Sequence, residues 1–208
     1  MKLGTWNLKL DMKEIWAIIL AAGESKRMGS PKMLLDFNGR KMIEMSISNV
    51  TSSKVDKTVV VLGAHRNEIL KAVGALPVIF CNNVKYSDGM LSSVKCGLTC
   101  LPDQFEALMV FQGDQPFIDP SVTNMVIDAY RSSGKGIVIA VCDGKRGHPL
   151  LLDFRYIKEI GNLDPKVGLR ELARKFPDDV MEVETGNRRI FRDFDTYDDY
   201  LNEIDKIN

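Results

Sequence analysis

The sequence predicts an α/β protein, a three-layer α/β/α sandwich built on a mostly parallel sheet. Four apolar segments lack the alternation of a half-exposed strand and therefore indicate strands buried on both faces. Helical patterns lie between them, and strands that alternate with helices form right-handed crossovers. At 208 residues and 45% hydrophobic content, the chain also has enough apolar material for one substantial core. The predicted strands are residues 17–20, 59–62, 108–111 and 137–141.

The clearest predicted helix begins after Asp119 and Pro120, where an N-cap residue precedes a proline at the first helical position. Its apolar residues recur at three- and four-residue steps. Further helices are predicted at 41–53, 66–75, 92–101, 154–160, 169–175 and 197–207. Segments 144–149 and 161–168 interrupt this alternation with Gly, Pro and charge, which favours insertions of short strands and loops in the last third.

The charge balance excludes several kinds of partner. With 28 basic and 28 acidic side chains, the chain has no net field for nucleic acid or an acidic membrane surface, so an anion site must be local. The longest apolar run, 15–22, is far shorter than the ~18 residues of a membrane span. We expect one domain at 15–208 after an N-terminal extension at 1–14, for which an ordinary edge strand is the alternative.

Features of localisation favour the cytoplasm. The first fourteen residues lack the continuous apolar core and small-residue cleavage site of a signal peptide. The four cysteines form no CxxC pair and lie in apolar runs or on a helix face, which is typical of buried, reduced thiols rather than a metal cluster. They are Cys81, Cys96, Cys100 and Cys142.

A glycine-containing loop follows the first predicted strand. It runs from Leu20 to Lys32 and contains Gly23 and Arg27. Small residues let the backbone approach a ligand, successive N–H groups can cradle an anion, and two cations suit a triphosphate. A plain strand-to-helix turn with solvated charges is the alternative. The loop matches neither a P-loop nor a dinucleotide fingerprint.

Three aspartates are candidate ligands for a metal ion. Asp114 lies at the carboxyl end of a central strand, where it is a suitable hard ligand for Mg²⁺, although an aspartate that only forms a turn is the alternative. Mg²⁺ sites usually use one or two carboxylates with phosphate oxygens, so a second ligand is expected. Asp193 and Asp195 alternate along an extended segment and project to one face. Alternatively, Asp195 or Thr196 caps the last helix.

These segments together resemble the MobA-like nucleotidyltransferases, and most closely the molybdenum cofactor cytidylyltransferase branch. Residues 20–32 match the signature LAAGxSxRMGxPK, and 113–117 resemble the metal-binding GDxP turn. Asn82 or Asn83 followed by 89–93 is similar to the nucleobase-side loop, and 147–149 to the GHP element. The resemblance implies a Rossmann-like sheet of the nucleotide-diphospho-sugar transferase type.

The resemblance also implies roles for individual residues. Catalytic roles fall on Arg27, Lys32 and Asp114, metal ligation on Asp114, Asp195 and Asp193, and acceptor binding on His148 and Arg170. The residues Ala21 and Ala22 in this signature imply, by the same resemblance, that the nucleotide is CTP rather than GTP. Lys166 stands where the family has an aspartate, and Tyr197 and Tyr200 replace its Pro and Leu. The residues expected to bind the nucleotide are Leu20, Ala21, Ala22, Gly23, Asn82, Gly89 and Ser93.

The implied reaction is Mg²⁺-dependent transfer of CMP from CTP to a phosphate of molybdopterin, with release of pyrophosphate. Because the attacking phosphate is already anionic, no general base is needed, which agrees with a chain that contains only His65 and His148. Partners would be CTP or another NTP, the phosphorylated acceptor, and a molybdoenzyme or insertion chaperone. Alternatives are transfer to a sugar or polyol phosphate, or a catalytically silent protein that binds nucleotide or delivers cofactor.

Overall fold

The computed structural model describes residues 13–26, 28–194 and 196–207. Within these residues a seven-stranded sheet has the order β5-β4-β1-β6-β8-β7-β9, and β2 and β3 form a separate hairpin. No helix there has both the length and the hydrophobicity required to cross a bilayer. The strands are β1 (Ile15–Ala21), β2 (Asp36–Phe37), β3 (Arg40–Lys41), β4 (Lys57–Leu62), β5 (Ile79–Asn82), β6 (Ala107–Gln112), β7 (Ile137–Cys142), β8 (Lys145–Asp153) and β9 (Val180–Glu184).

Helices cover both faces of the sheet. Buried residues of α1, α2 and α4 belong to the core on one face, and buried residues of α3, α5 and α6 belong to the core on the other. The helices are α1 (Met42–Thr51), α2 (Arg66–Val73), α3 (Met90–Leu98), α4 (Pro120–Ser133), α5 (Ile157–Ile160), α6 (Arg170–Lys175) and α7 (Tyr197–Ile207). The three-layer α/β/α sandwich is therefore confirmed.

The central strand β1 shows why a continuous apolar run was required. It pairs in parallel with β4 and with β6, so both of its edges and both of its faces are covered. Ile15, Ala17 and Ile19 face one core, whereas Ile18 and Leu20 face the other. Because successive side chains of a strand point to opposite faces, burial on both sides leaves no position for a polar residue.

The sheet is mostly parallel, with β8 as the antiparallel exception. This strand pairs antiparallel with β6 on one side and with β7 on the other. Its first half, from Lys145 to His148, is polar and partly exposed, and its second half is buried. The segment 144–149, for which short strands and loops were predicted, is therefore mostly strand, because two neighbouring strands supply the backbone hydrogen bonds.

The C-terminal helix is anchored to the β2–β3 hairpin by aromatic packing. Phe37 contacts Phe194 and Tyr200 in edge-to-face geometry, with ring centroids 5.3 and 5.2 Å apart. Tyr200 also donates a hydrogen bond to the carbonyl of Asp36, at 2.6 Å. Thr196 begins α7 as a capping residue, since its hydroxyl accepts from the N–H of Asp199 at 3.2 Å. This agrees with the capping alternative for Thr196.

Helix starts were predicted with mixed success. Asp119 caps α4 as expected and accepts a hydrogen bond from the N–H of Ser121 at 2.8 Å. The helix predicted at 92–101 starts two residues earlier, at Met90, directly after Gly89, whose φ is 97°. Ser92 and Ser93 therefore lie inside the first turns of α3.

Candidate active site

The carboxyl ends of β1, β4 and β6 meet at one edge of the sheet. Glycines follow β4 and β6 because the end of β1 lies against them. A Cβ on Gly63 would lie 2.5 Å from the carbonyl oxygen of Ala22, and a Cβ on Gly113 would lie 2.9 Å from that of Leu20. Sequence reasoning did not identify Gly63, although a glycine directly after a buried strand was the available signal.

The loop after β1 is held by Ser25. This residue has a φ of 55°, in the left-handed region that side chains rarely adopt. Its hydroxyl accepts a hydrogen bond from the N–H of Lys32 at 3.1 Å, and its carbonyl accepts from the N–H of Met28 at 2.9 Å. Ser25 thus closes the loop and places Lys32 at the start of a short 3-10 helix. Ser25 is part of the signature at residues 20–32, but the sequence implied no individual role for it.

Lys32 and Asp114 form an ion pair at the base of this edge. The lysine ammonium donates a hydrogen bond to Oδ2 of Asp114. Both side chains are nearly buried, with 15% and 12% of their surface exposed. The pair joins the loop after β1 to the turn after β6, which are the two segments that the sequence assigned to one crevice.

The turn that carries Asp114 is fixed from two sides. Ser46 and Asn49 on α1 donate hydrogen bonds to the carbonyls of Gly113 and Pro116, each at 2.8 Å. On the other side, the amide Nε2 of Gln115 donates to the carbonyl of Ile190 at 3.1 Å. Asp114 therefore has a preorganised position, which is a requirement for a metal-binding or charge-stabilising carboxylate.

The residues expected near the nucleobase divide into two groups. Asn83 is buried, and its amide donates to the hydroxyls of Ser92 at 2.9 Å and Ser93 at 3.1 Å. It thereby ties the end of β5 to α3 beside Gly89. Asn82 is exposed and lines a separate open cavity of about 530 Å³ with Gly63 and its neighbours. Asn83 was the alternative to Asn82 in the sequence analysis, and it is the residue that organises this loop.

A larger cavity, of about 710 Å³, lies between α3, α6, β8 and the segment before α7. His148, Arg170 and Asp193 line it together. Lys166, which stands where the family pattern has an aspartate, also lines this cavity. Among the described residues that line it, the basic side chains of Arg146, Lys166, Arg170 and Arg174 outnumber the one carboxylate, that of Asp193. The cavity therefore favours an anionic ligand.

The surroundings of His148 favour its neutral form and one tautomer. Burial lowers the pKa of its imidazole from 6.5, and the nearby charge of Asp114 only partly opposes this shift. Its Nδ1 lies 3.2 Å from the carbonyl oxygen of Val110. A carbonyl can only accept, so Nδ1 carries the proton and Nε2 presents a lone pair. His148 is therefore suited to accept a hydrogen bond and not to neutralise a phosphate.

The oxygen donors near Asp114 fit a small divalent cation. Asp114 supplies a carboxylate, and Oε1 of the adjacent Gln115 is buried without a hydrogen-bond partner among the described residues. Asp193 and Gln115 both line the cavity of about 710 Å³. Across residues 13–26, 28–194 and 196–207, no three His, Cys, Asp or Glu side chains form a closed metal cluster. One or two carboxylates with phosphate oxygens is the donor set that Mg²⁺ uses.

Two residues predicted for this site lie outside the described residues. They are Arg27, expected to contact the polyphosphate, and Asp195, expected to be the second metal ligand with Asp193 as its alternative.

Comparison with known proteins connects this geometry to a family. Residues 17–180 match the sequence model of the MobA-like NTP transferase domain. The molybdenum cofactor cytidylyltransferase of Escherichia coli K12 is 27% identical over 195 residues, which cover 91% of this chain and 95% of that protein. A probable molybdenum cofactor guanylyltransferase of Natranaerobius thermophilus is 32% identical over 133 residues, covering 62% of this chain and 60% of that protein.

Solved structures show the same fold. A nucleotidyl transferase from Methanothermobacter thermautotroptrophicus superposes with a TM-score of 0.79 at 23% identity, covering 93% of this chain and 97% of that one. The predicted fold of the nucleotide-diphospho-sugar transferase type is therefore confirmed.

Proposed function

The chain belongs to the MobA-like NTP transferase family and is a nucleotidyltransferase, and from that premise we propose that it transfers CMP from CTP to a phosphate of molybdopterin with Mg²⁺ as cofactor. The observation that carries the proposal is the buried contact between Lys32 and Asp114. The two side chains lie together at one sheet edge, where we propose that the lysine would meet the polyphosphate and the carboxylate would hold the metal.

On the nucleotide side, Leu20 and Ala21 end β1, and Ala22 and Gly23 begin the loop that follows it. The bonds from Asn83 to Ser92 and Ser93 support a rigid pocket for a base. A pocket built around fixed hydrogen bonds discriminates between bases better than an apolar one. CTP remains the proposed donor, because the family resemblance at Ala21 and Ala22 implies CTP rather than GTP.

In the metal site, Asp114 and either Asp193 or Asp195 would hold Mg²⁺, and Oε1 of Gln115 would accept a hydrogen bond from its hydration shell. When bound, the ion would neutralise charge on the phosphates. Lys32 would then contact the polyphosphate instead of Asp114. Because the side chains of Lys32 and Asp114 are nearly buried, their charges act in a region of low dielectric, where electrostatic interactions are strongest.

On the acceptor side, the cavity of about 710 Å³ is large enough for a bicyclic or sugar-sized ligand with a phosphate. Arg170 and Lys166 would meet the phosphate charge. His148 would accept a hydrogen bond from an N–H or O–H group of the acceptor, since its ring is neutral with Nε2 unprotonated. A pterin and a polyol both offer such groups, so the acceptor must be identified by assay.

The test is pyrophosphate release with each of the four NTPs and Mg²⁺, with and without molybdopterin. We expect release only when CTP and molybdopterin are both present. Release with GTP would contradict the proposed nucleotide. Release with CTP and a sugar or polyol phosphate, but not with molybdopterin, would assign the acceptor to that other class.

The location of the protein is also proposed to be the cytoplasm. The four cysteines are free thiols in the structure, which is typical of a reducing compartment. Fractionation of cells that express the tagged chain would test this proposal.

A further inference from the structure

Three of the four cysteines form a thiol cluster, which we define as Cys81, Cys96 and Cys100. Cys81 is on β5, Cys96 is on α3, and Cys100 follows that helix. The Sγ atoms of Cys81 and Cys96 are 2.9 Å apart, and the Cys81 thiol lies 3.3 Å from the carbonyl oxygen of Cys96. Cys100 also interacts with Cys81 through its side chain. Two sulfur atoms at this distance need only a small displacement to reach the ~2.05 Å of a disulfide.

We propose that Cys81 and Cys96 are an oxidation site, at which a peroxide converts the two thiols into a reversible disulfide that links β5 to α3. This role goes beyond the transferase activity, because none of the three cysteines was assigned to the reaction and none lines the cavity of about 710 Å³.

The chemistry begins at Cys96. Cys96 is partly exposed, whereas Cys81 is buried, so a small peroxide reaches Cys96 first. The Cys96 thiolate attacks one peroxide oxygen, the O–O bond breaks, and a sulfenic acid and hydroxide form. The Cys81 thiol then loses its proton to the hydroxide and attacks the Cys96 sulfur, which releases a second hydroxide. The proton that Cys96 lost when it formed its thiolate converts this second hydroxide into water. In the overall reaction, two thiols and one hydrogen peroxide give one disulfide and two waters.

Burial supports this order of steps. It raises the pKa of the Cys81 thiol, and it also raises the pKa of the Cys100 thiol. A thiol with a raised pKa has little thiolate at neutral pH and is a poor first nucleophile. Cys81 is instead placed to resolve a sulfenic acid on its neighbour, since contact at 2.9 Å provides a high effective concentration.

The crosslink would act beside the loop proposed for the nucleobase. Cys81 precedes Asn82 and Asn83 at the end of β5. On α3, Cys96 follows Ser92 by four residues and therefore lies on the same helix face. Asn83 joins these elements through its bonds to Ser92 and Ser93. Drawing the two sulfurs together would move α3 against β5 and disturb this joint. The effect on nucleotide binding rests on the proposed function, whereas formation of the disulfide does not.

The first experiment maps the crosslink. The full-length protein is treated with hydrogen peroxide, free thiols are blocked, and chymotryptic peptides are analysed by mass spectrometry. Cleavage after Leu98 separates Cys96 from Cys100, which trypsin leaves in one peptide. We expect a Cys81–Cys96 peptide that dithiothreitol removes, present in Cys142→Ser and absent in Cys96→Ser. Cys142→Ser is the matched control because Cys142 is on β7, and four strands separate β7 from β5 in the sheet.

Recovery of all four thiols unmodified, or a Cys81–Cys100 peptide in place of Cys81–Cys96, would overturn the proposal.

A second experiment measures CTP binding by calorimetry before oxidation, after oxidation and after reduction. We expect affinity to fall at least several-fold on oxidation and to recover on reduction, with no change in Cys96→Ser. Equal affinity of crosslinked and reduced protein would overturn the link to the nucleobase loop. A reduced protein that does not bind CTP would contradict the proposed function but not the mapped disulfide.

Discussion

Lys32 donates a hydrogen bond to Asp114 across 82 residues of sequence, and both side chains are nearly buried. The contact joins the loop after β1 to the turn after β6, the two segments on which the proposed chemistry depends. A bound cation would compete with the lysine for this carboxylate, and a bound polyphosphate would compete with the carboxylate for the lysine. Metal and nucleotide binding are therefore expected to be coupled through this pair.

The first prediction concerns Asp114 itself. Replacing Asp114 by Asn removes the charge while keeping the shape, so we expect kcat/KM to fall about 100-fold or more at saturating Mg²⁺. Steady-state pyrophosphate release measures this loss, and calorimetric titration with Mg²⁺ and CTP measures the metal independently of turnover. Unchanged turnover and unchanged metal affinity would show that Asp114 is not the ligand.

The second prediction concerns the energy of the ion pair. In a double-mutant cycle with Lys32→Met and Asp114→Asn, we expect a coupling of about 1–3 kcal/mol in the free energy of unfolding, because the pair is nearly buried. The exposed pair Lys54–Asp128, at 2.7 Å, is the control, with an expected coupling below ~1 kcal/mol. Urea denaturation measures both. Equal coupling in the two cycles would contradict the structural role of burial.

The third prediction concerns Gly63. A Cβ at this position would lie 2.5 Å from the carbonyl oxygen of Ala22, so backbone atoms would have to move. We expect Gly63→Ala to destabilise the protein by about 1–3 kcal/mol and to weaken nucleotide binding. Gly161→Ala is the control, since its backbone is already helical and its added Cβ would lie 3.3 Å from the nearest atom. Similar stability of the two variants would argue against close approach of β4 to the loop.

The fourth prediction concerns pH. Burial depresses the pKa of His148 below its ordinary 6.5. Below pH 6.5 the unfolded chain therefore binds more protons than the folded one, and the free energy of unfolding falls as the pH falls from 6.5 toward the folded-state pKa. His148→Asn keeps a donor for the Val110 carbonyl and removes the titration. We expect wild type to lose stability relative to this variant on acidification, as measured by urea denaturation between about pH 5 and 8. Parallel curves for the two proteins would show that His148 is not buried in the neutral form.

The fifth prediction concerns the basic wall of the cavity. Removing a charged group that contacts the acceptor phosphate costs one charge-assisted hydrogen bond, so Lys166→Ala and Arg170→Ala should each raise the KM for the acceptor about 10-fold. The KM for CTP should stay constant. Lys158→Ala on α5 is the control, because Lys158 is exposed and does not line the cavity. A rise in the KM for CTP alone would place these cations on the nucleotide side.

The sequence predicted the central strands because their signal is local and strong. Strand β1 is apolar at nearly every position, and burial on both faces allows nothing else. Strand β8 was not predicted as one continuous strand, because the segment with Gly147, His148 and Pro149 favours a mixture of short strands and loops, and pairing with β6 and β7 makes it a strand. The edge strands β5 and β9 were missed too, since exposed positions break the apolar run.

The sequence by itself determined the fold class, the order of layers and the segments that carry the chemistry, because these depend on residue type and spacing along the chain. Only the tertiary structure decided that Lys32 meets Asp114, that Asn83 holds the two serines, and that Cys81 lies against Cys96. It also decided that His148 is neutral. Contacts between distant residues and the desolvation of a side chain arise from packing in three dimensions, and no local pattern encodes them.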